Sequence, residues 1–142
     1  MVLRYFGEDV SEAELIEALK VNERDGTYPT TITAYFRKRG FHARDANSIA
    51  AIERSTSAGR PVIVDYQDWA HRPTETDYAT AWDNGHYAVA LGLEKGRIWL
   101  ADPSSGRKRR SLAVDDFERR WHDIENDGRR FFNWGVSIGP KR

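Results

Sequence analysis

The chain has 142 residues, which suits one domain with its own hydrophobic core and is too short for two. Lysine plus arginine and aspartate plus glutamate both number 22, so the charge balance favours neither nucleic acid nor an anionic membrane as a partner. There is no cysteine, which excludes disulfides, thiolate metal sites and a cysteine nucleophile within these residues.

No segment approaches the roughly 20 apolar residues of a membrane span, and an acidic helix stands near the N-terminus in place of a signal peptide. We therefore expect a cytoplasmic domain without a membrane segment. The run GRKRR, Gly106 to Arg110, is either a phosphate-binding patch or, as we expect, a solvated strand or turn.

The N-terminal part of the chain is predicted to be helical. Residues 11–20 (SEAELIEALK) begin with a capping box formed by Ser11 and Glu14. Their apolar stripe consists of Leu15, Ile16 and Leu19. A second helix starts at Pro29 to Thr31 and is stopped by Gly40, after which a strand begins at Phe41. Its inner face is predicted to be Ile32, Tyr35 and Phe36.

The middle of the chain adds a helix, a strand and a long loop. Asn47 or Ser48 caps a third helix that ends near Gly59. The β-branched run PVIVDY, residues 61–66, predicts a buried strand. Residues 67–85 show no period but contain Trp69, Tyr78 and Trp82, and such a loop in a compact domain is usually functional.

Strands dominate the last third. The segment 84–106 (NGHYAVALGLEKGRIWLADPSSG) predicts a hairpin with its turn at Glu94 to Gly96. VDDFERRWHDI then places Val114, Phe117 and Trp121 at helical spacing, and FFNWGVSI predicts a final strand. Helices first and strands mostly afterwards indicate an α+β domain with an antiparallel sheet.

The hairpin brings a histidine and an aspartate within reach of each other. One register sets His86 directly across from Asp102, about 5 Å apart, and a shift of two makes them diagonal neighbours on one face. A shift of one, or a bulge, moves one of them to the other face. Either Asp102 orients His86 as a general base, or His86 ends a strand and Asp102 starts an ordinary DPSSG turn.

The sequence offers few partners for such a base. Ser104 and Ser105 lack a strained elbow or a helix N-terminus and are better described as turn residues. No ligand spacing for a metal connects the four histidines, which are His42, His71, His86 and His122.

The whole pattern resembles the C39 and C39-like cysteine peptidases. The matching segments run in the family's order across nearly the whole chain: VLRYFG, ELIEALK, GTYPTTITAYFRKRGF, RPVIVDYQDW, GHYAVALG, ADPSSG and DDFERRWHD. GHYAVALG followed at this distance by ADPSSG and an F-x-x-x-W helix is the most specific combination.

The resemblance implies a papain-like fold in which N-terminal helices pack on an antiparallel sheet, a peptide or protein substrate, and no cofactor. It implies that His86 is the general base and that Asp102 orients it. The family's nucleophilic cysteine and oxyanion-hole glutamine stand at the start of the central helix, and VLRYFG resembles the tail of that helix. Gln67 lies at the end of a different strand and is expected to be an ordinary residue.

The resemblance therefore predicts residues 1–142 to be one C39-like domain without the N-terminal part of its central helix, inactive as written. Three hypotheses follow. The parent protein is a cysteine peptidase whose cysteine segment was lost from this chain, or the domain is a peptide-binding pseudopeptidase, or it is a structural protein without a cleft. The cleft wall is expected to include Trp69, Trp82, Gly85 and Tyr87.

Overall fold

The computed structural model describes residues 1–21, 26–104, 109–125 and 127–141. The helices in these ranges are α1 (Val2–Tyr5), α2 (Glu12–Ala18), α3 (Pro29–Lys38), α4 (Ile49–Ser57) and α5 (Val114–Arg120). The strands are β1 (Phe41–Asp45), β2 (Val62–Gln67), β3 (Gly85–Glu94), β4 (Arg97–Ala101), β5 (Arg110–Ala113), β6 (His122–Ile124), β7 (Arg130–Phe132) and β8 (Gly135–Lys141). No helix in these ranges is long and apolar enough to cross a bilayer.

Six of the strands form one antiparallel sheet in the order β1-β8-β2-β3-β4-β5, and β6 pairs with β7 as a separate hairpin. The predicted class, α+β with an antiparallel sheet, is confirmed. Because successive side chains of a strand point to opposite faces, β2 contributes to two cores. Val62, Val64 and Tyr66 pack with residues of α4 and α5, whereas Ile63 packs against the cluster that includes α1 and α3.

The predicted helix starts are confirmed by their caps. Ser11 and Glu14 form the reciprocal capping box, and Ser48 accepts a hydrogen bond from the Ala51 backbone. One detail of the apolar stripe is wrong, since Ile16 is exposed while Leu15 packs against the core. Helix α2 is short, has no fully buried residue, and packs against the core through Leu15.

Two predictions for the C-terminal part are wrong in their boundaries. The helix of VDDFERRWHDI ends at Arg120, and the next three residues form β6. The predicted last strand is divided into β7 and β8 at Asn133, which adopts a left-handed φ of 55°. Phe117 and Trp121 are both buried as expected, so their spacing predicted burial correctly but not the length of the helix.

The hairpin β3–β4 combines a tight turn with a bulge. Glu94 pairs with Arg97, and both turn residues, Lys95 and Gly96, have positive φ, as a two-residue type I′ turn requires. The predicted turn of three residues was therefore one residue too long. Continued to the site, this register would leave His86 and Asp102 on opposite faces, because it differs by one from the registers that share a face.

A register shift between Ala90 and Gly92 restores the shared face. Leu91 is the extra residue, and beyond it Val89 pairs with Ala101. In continuation of that register Asp102 lies across from Ala88, so His86 is its diagonal neighbour. The bulge therefore brings the two side chains together, contrary to the expectation that a bulge would separate them.

Candidate active site

His86 and Asp102 are in direct contact at the end of the hairpin. Nε2 of His86 lies 2.8 Å from Oδ1 of Asp102, and their side chains are 10% and 1% exposed. Because Nε2 faces the carboxylate, Nδ1 is the ring nitrogen left for another partner. The arrangement holds one tautomer of the imidazole, with Nε2–H donating to Asp102.

The same carboxylate also organises the turn that follows it. Oδ1 of Asp102 accepts hydrogen bonds from the backbone N–H of Ser104 at 2.9 Å and from its hydroxyl at 2.7 Å. The turn and the pairing with His86 are thus compatible, although the sequence presented them as alternatives. The Ser104 hydroxyl lies 3.3 Å from Nε2, on the carboxylate side of the ring, which is the wrong side for a nucleophile activated by Nδ1.

These contacts keep Asp102 ionised. Burial by itself raises the pKa of this carboxyl, but the hydrogen bonds from Ser104 and then from His86 outweigh burial and lower the pKa from 3.8 to about 2. At neutral pH the carboxylate is therefore negative and accepts a hydrogen bond from Nε2–H.

A network of ion pairs contacts Asp102 through its second carboxylate oxygen, Oδ2. Nη1 of Arg110 lies 3.3 Å from Oδ2 of Asp102 and also pairs with Asp68. Arg120 contacts Asp68 at 3.0 Å and Asp116 at 2.6 Å. These groups come from β5, from α5 and from the residue that follows β2, so three parts of the chain support the carboxylate.

An aromatic ring covers the histidine. Trp69 stacks on His86 with ring centroids 5.5 Å apart and an angle of 16° between the planes, yet 62% of the tryptophan is exposed. The tyrosine of β2, Tyr66, lies edge-on to the same imidazole, with ring centroids 6.0 Å apart. The imidazole therefore packs against two aromatic rings.

A cleft of about 460 Å³ runs past His86. Its walls come from the segment before α3, the start of β3 and the β6–β7 hairpin. Trp69, Gly85, His86 and Tyr87 all line it. Trp82, expected at the same wall, lies behind it and packs on His122 and Phe132 of that hairpin.

Gln67 is fully buried and both ends of its amide are engaged. Nε2 donates to the His122 carbonyl at 3.0 Å and to Asp123 at 2.9 Å, while Oε1 accepts from the Asn84 backbone at 2.9 Å. Its role is to connect β2, the loop before β3 and β6, as expected for a structural residue. This amide has no N–H directed into the cleft.

Other residues singled out by sequence are structural or lie elsewhere. His122 is buried and its Nε2 donates to the Ala81 carbonyl at 2.7 Å. Across the ranges that the structure describes, no three His, Asp or Glu side chains are grouped so that they could hold a metal ion. Ser105 and most of the GRKRR run lie outside the described residues, and Arg110, its last member, belongs to the network beneath Asp102.

Sequence reasoning missed an acidic group in the same cleft. Asp65, Asp123 and Glu125 line the wall opposite the α3 segment. Asp65 could have been noticed as a charged residue inside an otherwise apolar strand. Its closeness to Asp123 had no signal in the sequence, because the C-terminal residues were expected to continue a helix.

Comparison with known proteins gives a consistent result. The sequence model described as "Peptidase C39 family" matches residues 1–125. The chain is 27% identical over 124 residues to the lactococcin-G-processing and transport ATP-binding protein LagD of Lactococcus lactis subsp. lactis. That match covers 87% of this chain and 16% of the relative, so the chain spans about a sixth of that protein's length.

Solved structures share the fold at low sequence identity. The peptidase domain of Streptococcus ComA, a bifunctional ABC transporter of a quorum-sensing pathway, aligns with a TM-score of 0.70 and 21% identity over 99% of this chain and 85% of that one. A putative C39-like peptidase from Bacillus anthracis aligns at 0.71 with 17% identity, covering 99% and 84%. A double-glycine-motif protease of an AMS/PCAT transporter, solved with its leader peptide, aligns at 0.63 with 16% identity, covering 99% and 79%.

Proposed function

Because the chain belongs to the peptidase C39 family, we propose that it supplies the general base and the orienting carboxylate of a cysteine peptidase. The observation that carries the proposal is the 2.8 Å contact of His86 Nε2 with Asp102 Oδ1 at the wall of a cleft. The low pKa of Asp102 supports the proposal, since at neutral pH the carboxylate is charged and stabilises the imidazolium that forms during catalysis.

The proposed chemistry uses the two nitrogens of His86 differently. Nε2–H stays hydrogen-bonded to the ionised Asp102, and Nδ1 takes the proton of an incoming thiol, so that a thiolate attacks the peptide carbonyl. The imidazolium then returns this proton to the leaving amine. Trp69 keeps water from the imidazole face during both transfers.

The 142 residues contain no cysteine, so we propose that the nucleophile stands on a segment that precedes Met1 in the full protein and extends α1 backwards. An apolar groove supports this idea. Met1 and Val2 line it together with Tyr87 and Pro103, which flank the catalytic pair in sequence. The groove continues along α2 and α3 over Leu15, Leu19, Ile32 and Tyr35. A helix that continued α1 into it would bury this apolar surface beside His86.

We propose a peptide as the substrate. The support is the cleft and the similarity to a protease whose structure contains a leader peptide. A second candidate function is a peptide-binding module without catalysis, which the absence of cysteine from these residues favours. Both functions use the same cleft, so the nucleophile distinguishes them.

The first test concerns the nucleophile. The coding sequence upstream of the Met1 codon is read, and we expect an in-frame cysteine followed by glycine within about 20 residues, the distance that several helical turns provide. The chain extended to include that cysteine is then expected to cleave a peptide library, and its Cys→Ser variant is expected to lose at least about a thousandfold in kcat/KM.

The outcome also decides between the two candidates. A stop codon directly upstream, with the start at Met1 confirmed by intact mass, would remove the peptidase proposal and leave the peptide-binding module. Cleavage that survives Cys→Ser unchanged would show that another group is the nucleophile.

A further inference from the structure

The cleft beside His86 has an acidic wall that the proposed catalysis does not use. Asp65 comes from β2, and Asp123 and Glu125 come from β6 and the residue after it. In the described part of the chain, no lysine or arginine lines this cleft. The cleft therefore carries up to three negative groups against one imidazole.

Asp123 is fixed in position by its neighbours. Oδ1 accepts a hydrogen bond from Gln67 Nε2 at 2.9 Å and one from the Ile124 backbone at 2.8 Å. Oδ2 lies directly against Gly85, where an added Cβ would stand only 1.9 Å away. The carboxylate thus points at the residue that precedes the proposed base.

Asp65 is the deepest member of the wall. It is 2% exposed, and its Oδ1 is fully buried without a hydrogen-bond partner. The Tyr87 hydroxyl, which sits opposite Asp65 in the sheet, has one proton to share between the Asp65 carboxyl and the Thr27 carbonyl, which lies 2.7 Å away. Oδ1 of Asp65 itself is a buried acceptor without a partner, which ordinarily costs free energy.

The surroundings of both carboxyls disfavour their negative charge. Burial, followed by the charge of Asp123, raises the pKa of Asp65 well above its ordinary value. Burial also raises the pKa of Asp123. The two carboxyls are in hydrogen-bond contact with each other, and a positively charged group placed against both would relieve the repulsion and supply the missing donor to Asp65.

The ligand chemistry follows from this geometry. The described residues offer no group of three or more metal-ligating side chains, so a metal ion is not the fitting cation. A primary ammonium has three donors in a compact head, and an alkyl stem that would lie along the aromatic lining of Tyr28 and Phe131.

We propose that the wall formed by Asp65 and Asp123, with Glu125 at its rim, binds an alkylammonium group of a peptide close to the site of the general base. The inference rests on the proposed function for the identity of the ligand as a peptide, but not for the binding of the cation. It assigns a preference for a basic residue or a free amino terminus next to His86.

The 142-residue chain itself is suitable for the test, because no catalysis is needed. Three small probes are titrated at pH 8 while the backbone amide resonances of Gly85 and Ile124 are followed by NMR. The first probe is Nα-acetyl-lysine methylamide, which carries a side-chain ammonium. The second is its Nε-acetylated form, which is neutral, and the third is norleucine methylamide, which carries only an α-ammonium.

We expect saturable shifts at both amides with at least one cationic probe, and binding about tenfold tighter than that of the neutral probe. Comparison of the affinities of the two cationic probes shows whether the wall prefers a side-chain ammonium or an amino terminus. Asp65→Asn and Asp123→Asn should each weaken cation binding about tenfold, whereas Asp115→Asn, an exposed acid on α5 outside the cleft, should not change it.

Equal binding of charged and neutral probes, or no shift with any of them, would overturn the inference. Unchanged cation binding by both Asp65→Asn and Asp123→Asn would overturn it as well, and thermal unfolding of each variant shows that it is folded. Peptide cleavage by the extended chain is a separate readout. Cation binding without cleavage would count against the proposed function alone, and cleavage without cation binding against this inference alone.

Discussion

At the residue scale, the surroundings shift the pKa values of Asp102 and Asp65, the two acids near His86, in opposite directions. Hydrogen bonds from Ser104 and His86 hold Asp102 ionised, while burial favours the protonated form of Asp65. The carboxylate of Asp102 is thus held in its charged form. The wall proposed to bind a cation contains a carboxyl whose burial disfavours its charge.

Asp65→Asn is expected to stabilise the fold in a pH-dependent way. Because the folded pKa is raised, the folded chain keeps a proton that the unfolded chain releases, and stability from this group falls as pH rises from 3.8 through the folded pKa. The gain in unfolding free energy should therefore be larger at pH 8 than at pH 5, as measured by urea denaturation. A gain of equal size at both pH values, or a loss at pH 8, would contradict the raised pKa.

Gly85→Ala is expected to destabilise the fold by about 1–3 kcal/mol, since overpacking has this cost and the new Cβ would meet Asp123 at 1.9 Å. The double variant Gly85→Ala with Asp123→Ala removes the obstructing carboxylate, so its loss should be clearly smaller than the two single losses added together. Gly139→Ala is a milder comparison, because its nearest contacts are side-chain carbons at 3.3 and 3.4 Å, which need to shift by only a few tenths of an ångström. Simple additivity of the Gly85 and Asp123 variants would show that the two residues do not touch.

At the element scale, the hairpin β3–β4 brings His86 and Asp102 together. The turn alone has the wrong register, and the extra residue Leu91 corrects it. The β3–β4 turn contains Lys95, which adopts a left-handed φ of 50° although lysine has no special preference for it.

Lys95→Asn is expected to stabilise the chain by a few tenths to about 1 kcal/mol, because Asn-Gly is the preferred pair for a type I′ turn. Lys95→Val, whose branched side chain opposes positive φ, should destabilise it. Thermal and urea unfolding measure both. The opposite order would mean that the turn is of another type.

The elements show where sequence patterns were sufficient. Local chemistry predicted two helix starts, at Ser11 with Glu14 and at Ser48, and one helix stop at Gly40. The structure has all three. The bulge at Leu91 and the break at Asn133 were not predictable, because ordinary residues occupy them and tertiary packing decides their conformation.

At the scale of the whole molecule, the sheet joins residues distant in sequence that no local pattern relates. The contact of His86 with Asp102 could be proposed from the sequence because one hairpin carries both residues, although the register that joins them depends on the bulge. The pairing of Asp65 with Asp123 was not, since it depends on β6 folding back against β2 through Gln67. The apolar groove beside Met1 likewise appears only when α1, α2, α3 and the sheet are assembled.

The most direct test of the central claim is the turnover of the extended chain after replacement of single histidines. His86→Ala should lower kcat/KM for peptide cleavage by at least about a thousandfold, with the fold retained in a thermal unfolding control. His42→Ala, in β1 away from the cleft, should leave kcat/KM within about threefold of the parent, as expected for a residue outside the site. Equal activity of His86→Ala and the parent would contradict the assignment of His86 as the general base.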